Sequence, residues 1–385
     1  MKTSIEIPLA GLKNILTGLG KVAPKRPRLP VPQRVKVTRD REGHVTMTTT
    51  DLDTYLTANL PDTEAGDPFT ILISFTALKQ CVDKAGKTGC VIVRTDDTIN
   101  AILETPVGEW HREPVISADE WPGAPCLDGD AVALPEGLKA NILAGFSFAS
   151  DDPARQILNG VFVDVTEPTN HHVVACNGRV LFTSNSFTIN AQESFIVPTH
   201  PFVAWKEFAK DGEWSVRSRA ASKGSDRPLI QVRSQNWVFT SHQPEGTYPN
   251  WRQIMPDKDG WKTRLFVYPA QLSLLVAGLP DNDVLNHGVG LAISKNQAVP
   301  SLGDVTTLVQ PSDRSYDKIA TPAKEGVGRV EGDAPEHPYW LNRKYLLAAL
   351  ALDCDRLHIT DENSPIWFTD DGHRRRVVVS LLRVL

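Results

Sequence analysis

The sequence has little from which to build an active site, a disulfide framework or a membrane span. Its five cysteines, Cys81, Cys90, Cys126, Cys176 and Cys354, are odd in number, scattered and free of any C-x-x-C pair, which argues against both a disulfide scaffold and a structural zinc site. They read as reduced thiols, mostly buried. No apolar run approaches the ~20 residues of a membrane-spanning helix. The N-terminal stretch lacks the apolar core of a signal peptide, so a cytoplasmic protein with no membrane partner is expected. No G-x-S-x-G elbow, H-E-x-x-H or paired Cys/His signature occurs. Gly86-Lys87-Thr88 looks like the tail of a phosphate-binding loop, but the first glycine of that motif would fall on Cys81, and the stretch follows a helix instead of preceding one. His171-His172 makes a poor metal pair, because neighbours on a strand point to opposite faces and no carboxylate or cysteine accompanies them at ligand spacing. Nothing in the chain asks for a catalytic residue, a cofactor or a metal.

What the chain does have is a short helical phrase that recurs six times. It reads Ile7-Pro8-Leu9-Ala10-Gly11-Leu12-Lys13, then Ser74-Phe75-Thr76-Ala77-Leu78-Lys79, then Leu134-Pro135-Glu136-Gly137-Leu138-Lys139. Looser copies follow at Val197-Pro198-Thr199-His200-Pro201-Phe202-Val203, Tyr268-Pro269-Ala270-Gln271-Leu272 and Leu341-Asn342-Arg343-Lys344-Tyr345-Leu346. Each has Pro, Ser or Asn where a helix begins, because Pro lacks only an N–H that would be unsatisfied there and Ser or Asn can cap it. The copies lie roughly 60 to 73 residues apart, longer than the short solenoid units. Between them run β-branched, alternating stretches such as Arg34-Val35-Lys36-Val37 and Val45-Thr46-Met47-Thr48-Thr49, so each helix is followed by a strand meander. Asn177-Gly178, between His172–Cys176 and Arg179–Thr183, is the strongest short hairpin signal.

A chain of 385 residues suggests two or three domains of about 100 to 200 residues. Six modules taken in pairs give three of about 125, and the breaker-rich stretches Glu120–Pro125 and Met255–Gly260 suggest the boundaries. The expected division is 1–126, 127–258 and 259–385, in an α+β class. The segment 280–338 reads as long loops around a few strands, or as an insertion.

The net charge of −5 does not by itself suggest a nucleic-acid binder. The helical phrases differ from that average. Leu9 to Lys21 holds Lys13 and Lys21 and no acid; Lys79, Lys84 and Lys87 outnumber Asp83; Lys139, then Lys206 and Lys210, then Arg343 and Lys344 sit on later copies. In the first three copies the lysine directly follows the anchoring apolar residue, on the face turned from the core. Singly, each is an ordinary solvated side chain. Repeated in equivalent places, they predict a basic track able to hold phosphates without reading bases. The fifth copy has no charge, so the track is weakest there.

With these features in view, the chain resembles the bacterial DNA polymerase sliding clamps, the β subunits of polymerase III, along most of its length. The supporting stretches are Arg26-Pro27-Arg28-Leu29-Pro30 with Thr50-Asp51-Leu52, Leu158-Asn159-Gly160 with Cys176-Asn177-Gly178-Arg179-Val180-Leu181, and Gly246-Thr247-Tyr248-Pro249-Asn250-Trp251-Arg252 leading to Met255-Pro256. Near the C-terminus Asn342-Arg343-Lys344-Tyr345, Thr360-Asp361 and Val378-Val379-Ser380-Leu381-Leu382-Arg383 add to them. The resemblance implies a DNA-clamp fold of three similar domains, each of two helix-plus-meander modules. Two copies would close head to tail into a ring around duplex DNA, helices inside.

The resemblance also implies site residues. DNA would be contacted by Lys13, Arg26, Lys79, Lys139, Arg155, Lys206 and Lys344. The dimer interface would use the edge strand around Ile102 and Leu103 and the fifth helix around Leu272 and Leu275, residues that read equally well as core. A pocket between the second and third domains would take short peptides of polymerase, clamp loader and repair proteins. It maps to Leu158, Cys176, Gly178, Arg179, Leu181, Pro249, Ile254, Asn342, Tyr345, Val378, Val379, Leu381, Leu382 and Arg383. Several positions depart from the family pattern: Arg179-Val180 replaces His-Arg, Gln253 an arginine, Asn286 a phenylalanine, and Ser380-Leu381-Leu382 a Met-Pro-Met. Each loss removes an anchor of the kind that dominates small interfaces. The expected function is a non-catalytic processivity factor. Alternatives are a clamp-like paralogue scaffolding other partners, and an α+β enzyme with carboxylates converging near Asp304, Asp313 or Asp317.

Overall fold

The computed structural model describes residues 4–24, 31–60, 66–85, 89–96, 99–185, 187–220, 227–279, 287–294, 297–304, 328–332 and 339–382, with only the backbone path of 292–294, 297–304 and 328–330. Arg26, Arg383, Asn286, Asp313 and Asp317, and the side chain of Asp304, lie outside what is described. The chain divides into two compact units, one formed by Met1–Glu136 with Pro198–Glu245 and the other by Gly137–Val197 with Gly246–Leu385.

In chain order the elements begin with β1 (Ser4–Pro8), α1 (Leu12–Leu19), β2 (Arg34–Arg39), β3 (Val45–Thr50), β4 (Thr54–Leu60), β5 (Phe69–Ser74) and α2 (Phe75–Lys84). They continue with β6 (Cys90–Asp96), β7 (Asn100–Thr105), β8 (Gly108–Pro114), β9 (Val132–Leu134), α3 (Glu136–Gly145), β10 (Gly160–Asp164), β11 (His172–Cys176), β12 (Val180–Ser184) and β13 (Phe195–Pro198). Next come α4 (Lys206–Ala209), β14 (Trp214–Arg219), β15 (Leu229–Arg233), β16 (Trp237–His242), β17 (Thr263–Val267), α5 (Pro269–Gly278), β18 (Gly288–Ser294) and β19 (Gln297–Asp304). The last are β20 (Gly328–Gly332), β21 (Tyr339–Asn342), α6 (Arg343–Leu350), β22 (Arg356–Ile359), β23 (Ile366–Thr369) and β24 (Arg375–Val379).

The first unit holds an eight-stranded sheet in the order β5-β2-β3-β4-β16-β15-β14-β9, and the second a nine-stranded sheet in the order β13-β10-β11-β12-β24-β23-β22-β17-β20. Strand for strand the orders match, with β20 added. Each sheet is made continuous by a pairing between strands far apart in sequence: β4 with β16, and β12 with β24, both antiparallel. Smaller sheets accompany them, β1-β6-β7-β8 in the first unit and β19-β18-β21 in the second.

Period-two alternation decides which face of each large sheet is core. In the first, Val35, Val37, Met47, Leu56, Phe239 and Val232 are fully buried on one face, the face on which α1 lies, since Gly18 approaches the Trp237 ring. In the second, Val161, Val163, Val173, Ala175, Phe182 and Val377 are buried on the face against which α3 packs, with Gly145 close to Val161 and Ala175. Leu138 and Ile142 of α3 are fully buried as well. Fully burying each such side chain contributes about 1.5–3 kcal/mol.

The recurring phrases begin helices for several local reasons. Ser74 caps α2 by accepting from the Ala77 N–H at 3.2 Å, and Asn342 caps α6 by accepting from Lys344 at 2.9 Å. Pro269 occupies the first turn of α5. In the first copy β1 runs through Pro8, and the helix starts only after Gly11, whose φ of 78° suits glycine. The fourth copy departs most. Pro198 ends a strand, Val203 lies in a turn, and the helix that follows, α4, has only four residues. Prolines at 198 and 201 deny the N–H groups a continuous helix needs, and the Phe202 N–H is taken by His200 Nδ1 at 3.1 Å. No helix among the described residues is long and apolar enough to cross a membrane.

Gly18 tests the packing of α1. A Cβ there would lie 2.5 Å from Trp237 Cη2 and 2.8 Å from Trp205 Cζ3. Helix propensity alone would favour alanine by about 1 kcal/mol, whereas overpacking costs about 1–3 kcal/mol. Gly18→Ala is therefore expected to lower the urea midpoint; a raised midpoint would show that the two indoles move aside at no cost.

Candidate functional site

The matching orders of the two large sheets allow their outer faces, those turned from the helices, to be compared row by row. In the first sheet one cross-strand row runs Thr50, Tyr55, Thr240, Gln231, Arg217. It is polar and internally bonded: Gln231 Nε2 donates to Thr240 Oγ1 at 3.1 Å. In the same place on the second sheet the row runs Cys176, Leu181, Val378, Trp367, His358. Here an apolar cluster has formed on the outside of a sheet whose other side is already the core.

That cluster joins Leu158, Val174, Cys176, Leu181, Ile196, Tyr248, Trp251, Trp367 and Val378, with Ile157, Phe162, Met255 and Trp261 packed around it half-buried. The segment after β16 covers part of it. Tyr248 stacks on Phe162 at 4.6 Å, and Trp251, at the start of the short 3-10 turn Trp251–Ile254, meets the His172 ring at 4.9 Å.

A buried carboxylate holds this cover down. Asp164, 2% exposed at the end of β10, accepts from Trp251 Nε1 at 3.0 Å and from Arg252 Nη1 at 2.7 Å. Arg252 also reaches Glu167 at 2.9 Å, and its guanidinium carbon lies 4.4 Å from the Trp251 ring. Burial alone would raise the Asp164 pKa, but the bonds from Thr166, Trp251 and Arg252 outweigh it and hold the carboxyl at about 2. Burial and the Arg252 charge push His172 below the usual histidine range, and burial raises the Cys176 thiol.

The rim is polar. Gly178, at φ 86°, makes the turn between β11 and β12. Asn177 Oδ1 accepts from the Arg179 and Val180 N–H groups at 3.0 and 3.1 Å, and its Nδ2 donates to the Tyr345 hydroxyl at 2.8 Å. Arg155 Nη1 donates to the Asn177 carbonyl at 3.0 Å, and a Cβ on Gly178 would come within 2.5 Å of that nitrogen. The chain end is tied in by Ser380 N–H to Arg179 O at 2.9 Å and Leu382 N–H to Trp340 O at 2.8 Å.

Of the residues expected to line the pocket, Leu158, Cys176, Leu181 and Val378 come together in the cluster. Gly178, Arg179 and Tyr345 belong to the rim just described, Leu381 and Leu382 are half-buried, and Pro249 and Ile254 are exposed near the covering turn. Asn342 is buried as the cap of α6. Val379 needs correcting. It is fully buried, and strand alternation puts it on the opposite face of β24 from Val378, in the core beneath the helices. Sequence reasoning missed Val174, Tyr248, Trp251, Trp261 and Trp367. The alternation of Ile366-Trp367-Phe368 signals two faces, but only the pairing of β23 with β24 tells which face joins Val378.

The candidate basic residues fare unevenly. Lys13, Lys79 and Lys206 are exposed in the first unit and Lys344 in the second. Lys13 is paired with Asp83 at 3.4 Å, which halves its claim as a free cation. Arg155 is exposed but bonded to the Asn177 carbonyl. Lys139 is 5% exposed, so the expectation that it turns from the core fails: it follows Leu138 on the packed side of α3.

The dimer residues need correcting too. Ile102 and Leu103 are fully buried on β7, which has β6 on one side and β8 on the other. The edge strands of that sheet are β1 and β8, and on β8 Trp110 is 39% exposed beneath Lys84. Leu272 is core and Leu275 half-buried; the outward residue of α5 is Leu274, 75% exposed. Among the described residues no group of His, Cys, Asp and Glu could hold a metal ion.

No protein-family model matches the chain, and no curated protein matches it in sequence. Solved structures do. A DNA polymerase sliding clamp from Bacillus subtilis matches at a TM-score of 0.80 and 17% identity, covering 100% of each chain. The beta subunit from DNA polymerase of Streptococcus pyogenes gives 0.79 and 17%, and the DNA polymerase III subunit beta from Pseudomonas aeruginosa 0.77 and 17%, each over 99% of this chain and 100% of the other. The chain has the sliding-clamp fold over its whole length.

The segment covering the apolar cluster gives a pH prediction. The folded Asp164 carboxyl titrates at about 2 against 3.8 ordinarily. Its contribution, about 2 kcal/mol from the shift, is present above pH ~4 and lost as pH falls toward ~2. Asp164→Asn is expected to be less stable at neutral pH and to lack that part of the acid slope, measured by urea unfolding at stepped pH. An unchanged slope would mean that the carboxylate does not hold the cover.

Proposed function

We propose that this protein is a DNA sliding clamp, a non-catalytic processivity factor whose two copies close head to tail around duplex DNA. It tethers a polymerase and other DNA-processing proteins by short peptides docked in the outer cleft of the second sheet. The observation that carries the reading is the extent of the fold match, whole chain on whole chain. Within that fold the division into domains 1–126, 127–258 and 259–385 gives three pairs of modules per chain, and two chains close a ring of six domains.

A ring does not need tight DNA contacts, because topology prevents escape while weak phosphate contacts leave sliding free. Exposed Lys79, Lys206 and Lys344 support that role, with Lys13 contributing once Asp83 is screened. For ring closure the features in favour are the edge strand β8 with Trp110, and the exposed Leu274 on α5 with Tyr268 just before it. The cleft supports peptide docking because its polar counterpart on the first sheet shows that the fold itself does not require an apolar outer row.

Two measurements test the reading. Light scattering at micromolar concentration is expected to give about twice the 42.4 kDa chain mass; a persistent monomer would count against a closed ring. Leu382→Asp sets a charge at the cleft, where desolvating it costs several kcal/mol. Peptide binding and polymerase stimulation are expected to be lost with the mass unchanged, and full retention of both would remove the cleft from the mechanism.

A further inference from the structure

The outer row of the second sheet does not stop where the apolar cluster ends. Past Val378 and Trp367 it continues through His358 on β22 to Arg264 on β17. The adjacent row on the same face runs Thr183, Arg376, Thr369, Arg356, Phe266. The His358 ring stacks on Trp367 at 3.9 Å and 14°, Trp261 meets it edge-on at 6.3 Å, and the Arg264 guanidinium carbon lies 4.0 Å from the Trp261 ring. The apolar cleft thus grades into an aromatic and cationic margin.

The cations of this margin are not equally satisfied. Arg356 is bonded to Asp371 and has Asp355 at 3.8 Å, while Arg264 faces Glu331 at 3.9 Å. Arg376 differs. It is half-buried, two residues from Val378 on the same face of β24, and among the described residues its side chain has no hydrogen bond or ion pair. The carboxylate that acts on it from a distance, Asp370, already accepts from the Arg374 and Arg375 N–H groups at 2.7 and 3.1 Å. One strand away, Trp367 is 2% exposed and its Nε1 is buried without an acceptor. The Arg376 guanidinium is a donor only, so an acceptor is what it lacks, and its strongest acceptor is an anion. His358 adds no competing positive charge beside an incoming anion; burial and the Arg264, His373, Arg356 and Arg376 charges keep it neutral.

We propose that Arg376 forms an anion-accepting margin of the cleft, so that the peptides docked there carry a carboxylate next to their large apolar anchors. The inference rests on the peptide-cleft reading. A bidentate carboxylate on Arg376 would satisfy a partly desolvated cation, while the apolar anchors fill the space between Leu181, Val378 and Trp251. Discrimination would then come from the margin and bulk affinity from the apolar floor.

The test uses the full chain and short fluorescein-labelled peptides that end in Leu-Phe, amidated so that the chain terminus offers no carboxylate. One peptide has no acid; in the others a single Asp or Glu moves through successive positions before the apolar end. Fluorescence polarisation is expected to show that one acid position binds about tenfold tighter than the acid-free peptide, as one charge-assisted contact would give, with the gain shrinking as salt rises. Arg376→Gln is expected to erase that gain and leave the acid-free peptide unchanged; Arg376→Lys should keep part of it. No gain at any position, or a gain that survives in Arg376→Gln, overturns the proposal while the cleft stands. If the acid-free peptide and every acidic one fail to bind, the cleft reading and this inference fall together.

Discussion

The structure depends on two antiparallel pairings between strands remote in sequence, β4 with β16 and β12 with β24. Each fuses two short meanders into one wide sheet, and because side chains alternate with a period of two, the register of that one pairing fixes which residues of every strand in the sheet face the helices. A slip by one residue at Leu181–Val378 would carry Val377 and Val379 outward and bury Arg376 under α3. The register is protected by the helix-facing valines, leucines and phenylalanines, whose burial supplies most of the stabilisation. The outer faces are then left free to differ, and they do: threonine, glutamine and arginine on one, tryptophan and valine on the other.

Much of this was legible in the chain because it is local. The helix starts at Ser74, Pro269 and Asn342 follow from capping and from the missing N–H of proline, and the Asn177-Gly178 turn follows from the φ that glycine tolerates. What was not legible is non-local. Whether Ile102 and Leu103 lie on an edge or an interior strand depends on β8, whose charged sequence hides its membership of the sheet. Val379 and Val378 look alike in sequence and differ only in the face that pairing gives them. Lys139 follows the same apolar-then-lysine pattern as Lys13 and Lys79, yet packing of α3 against the sheet buries it. The tryptophans of the cleft come from three separate stretches, and only the bond from Trp251 to Asp164 and the pairing of Trp367 with Val378 bring them together.

The cleft also shows how a solvent-facing apolar cluster is kept from being an aggregation hazard. Its cover is not held by apolar contact alone. Asp164 ties Trp251 and Arg252 by two hydrogen bonds, and Arg252 lies against the indole, so the aromatic residues are held in one orientation. Under the proposed peptide docking, such preorganisation would reduce the ordering cost of binding.

Seen as a pair, the two large sheets repeat one strand order with different outer faces. Residues Thr50, Tyr55, Thr240, Gln231 and Arg217 occupy the same lattice positions as the cleft row, on a scaffold of the same strand order, with no share in the helix-facing core. The outer row is therefore a coordinate along which the sequence can drift without endangering the fold. In such a molecule the chemistry of an outer face is a property of one sheet alone, and the two sheets show two settings of it on one strand order.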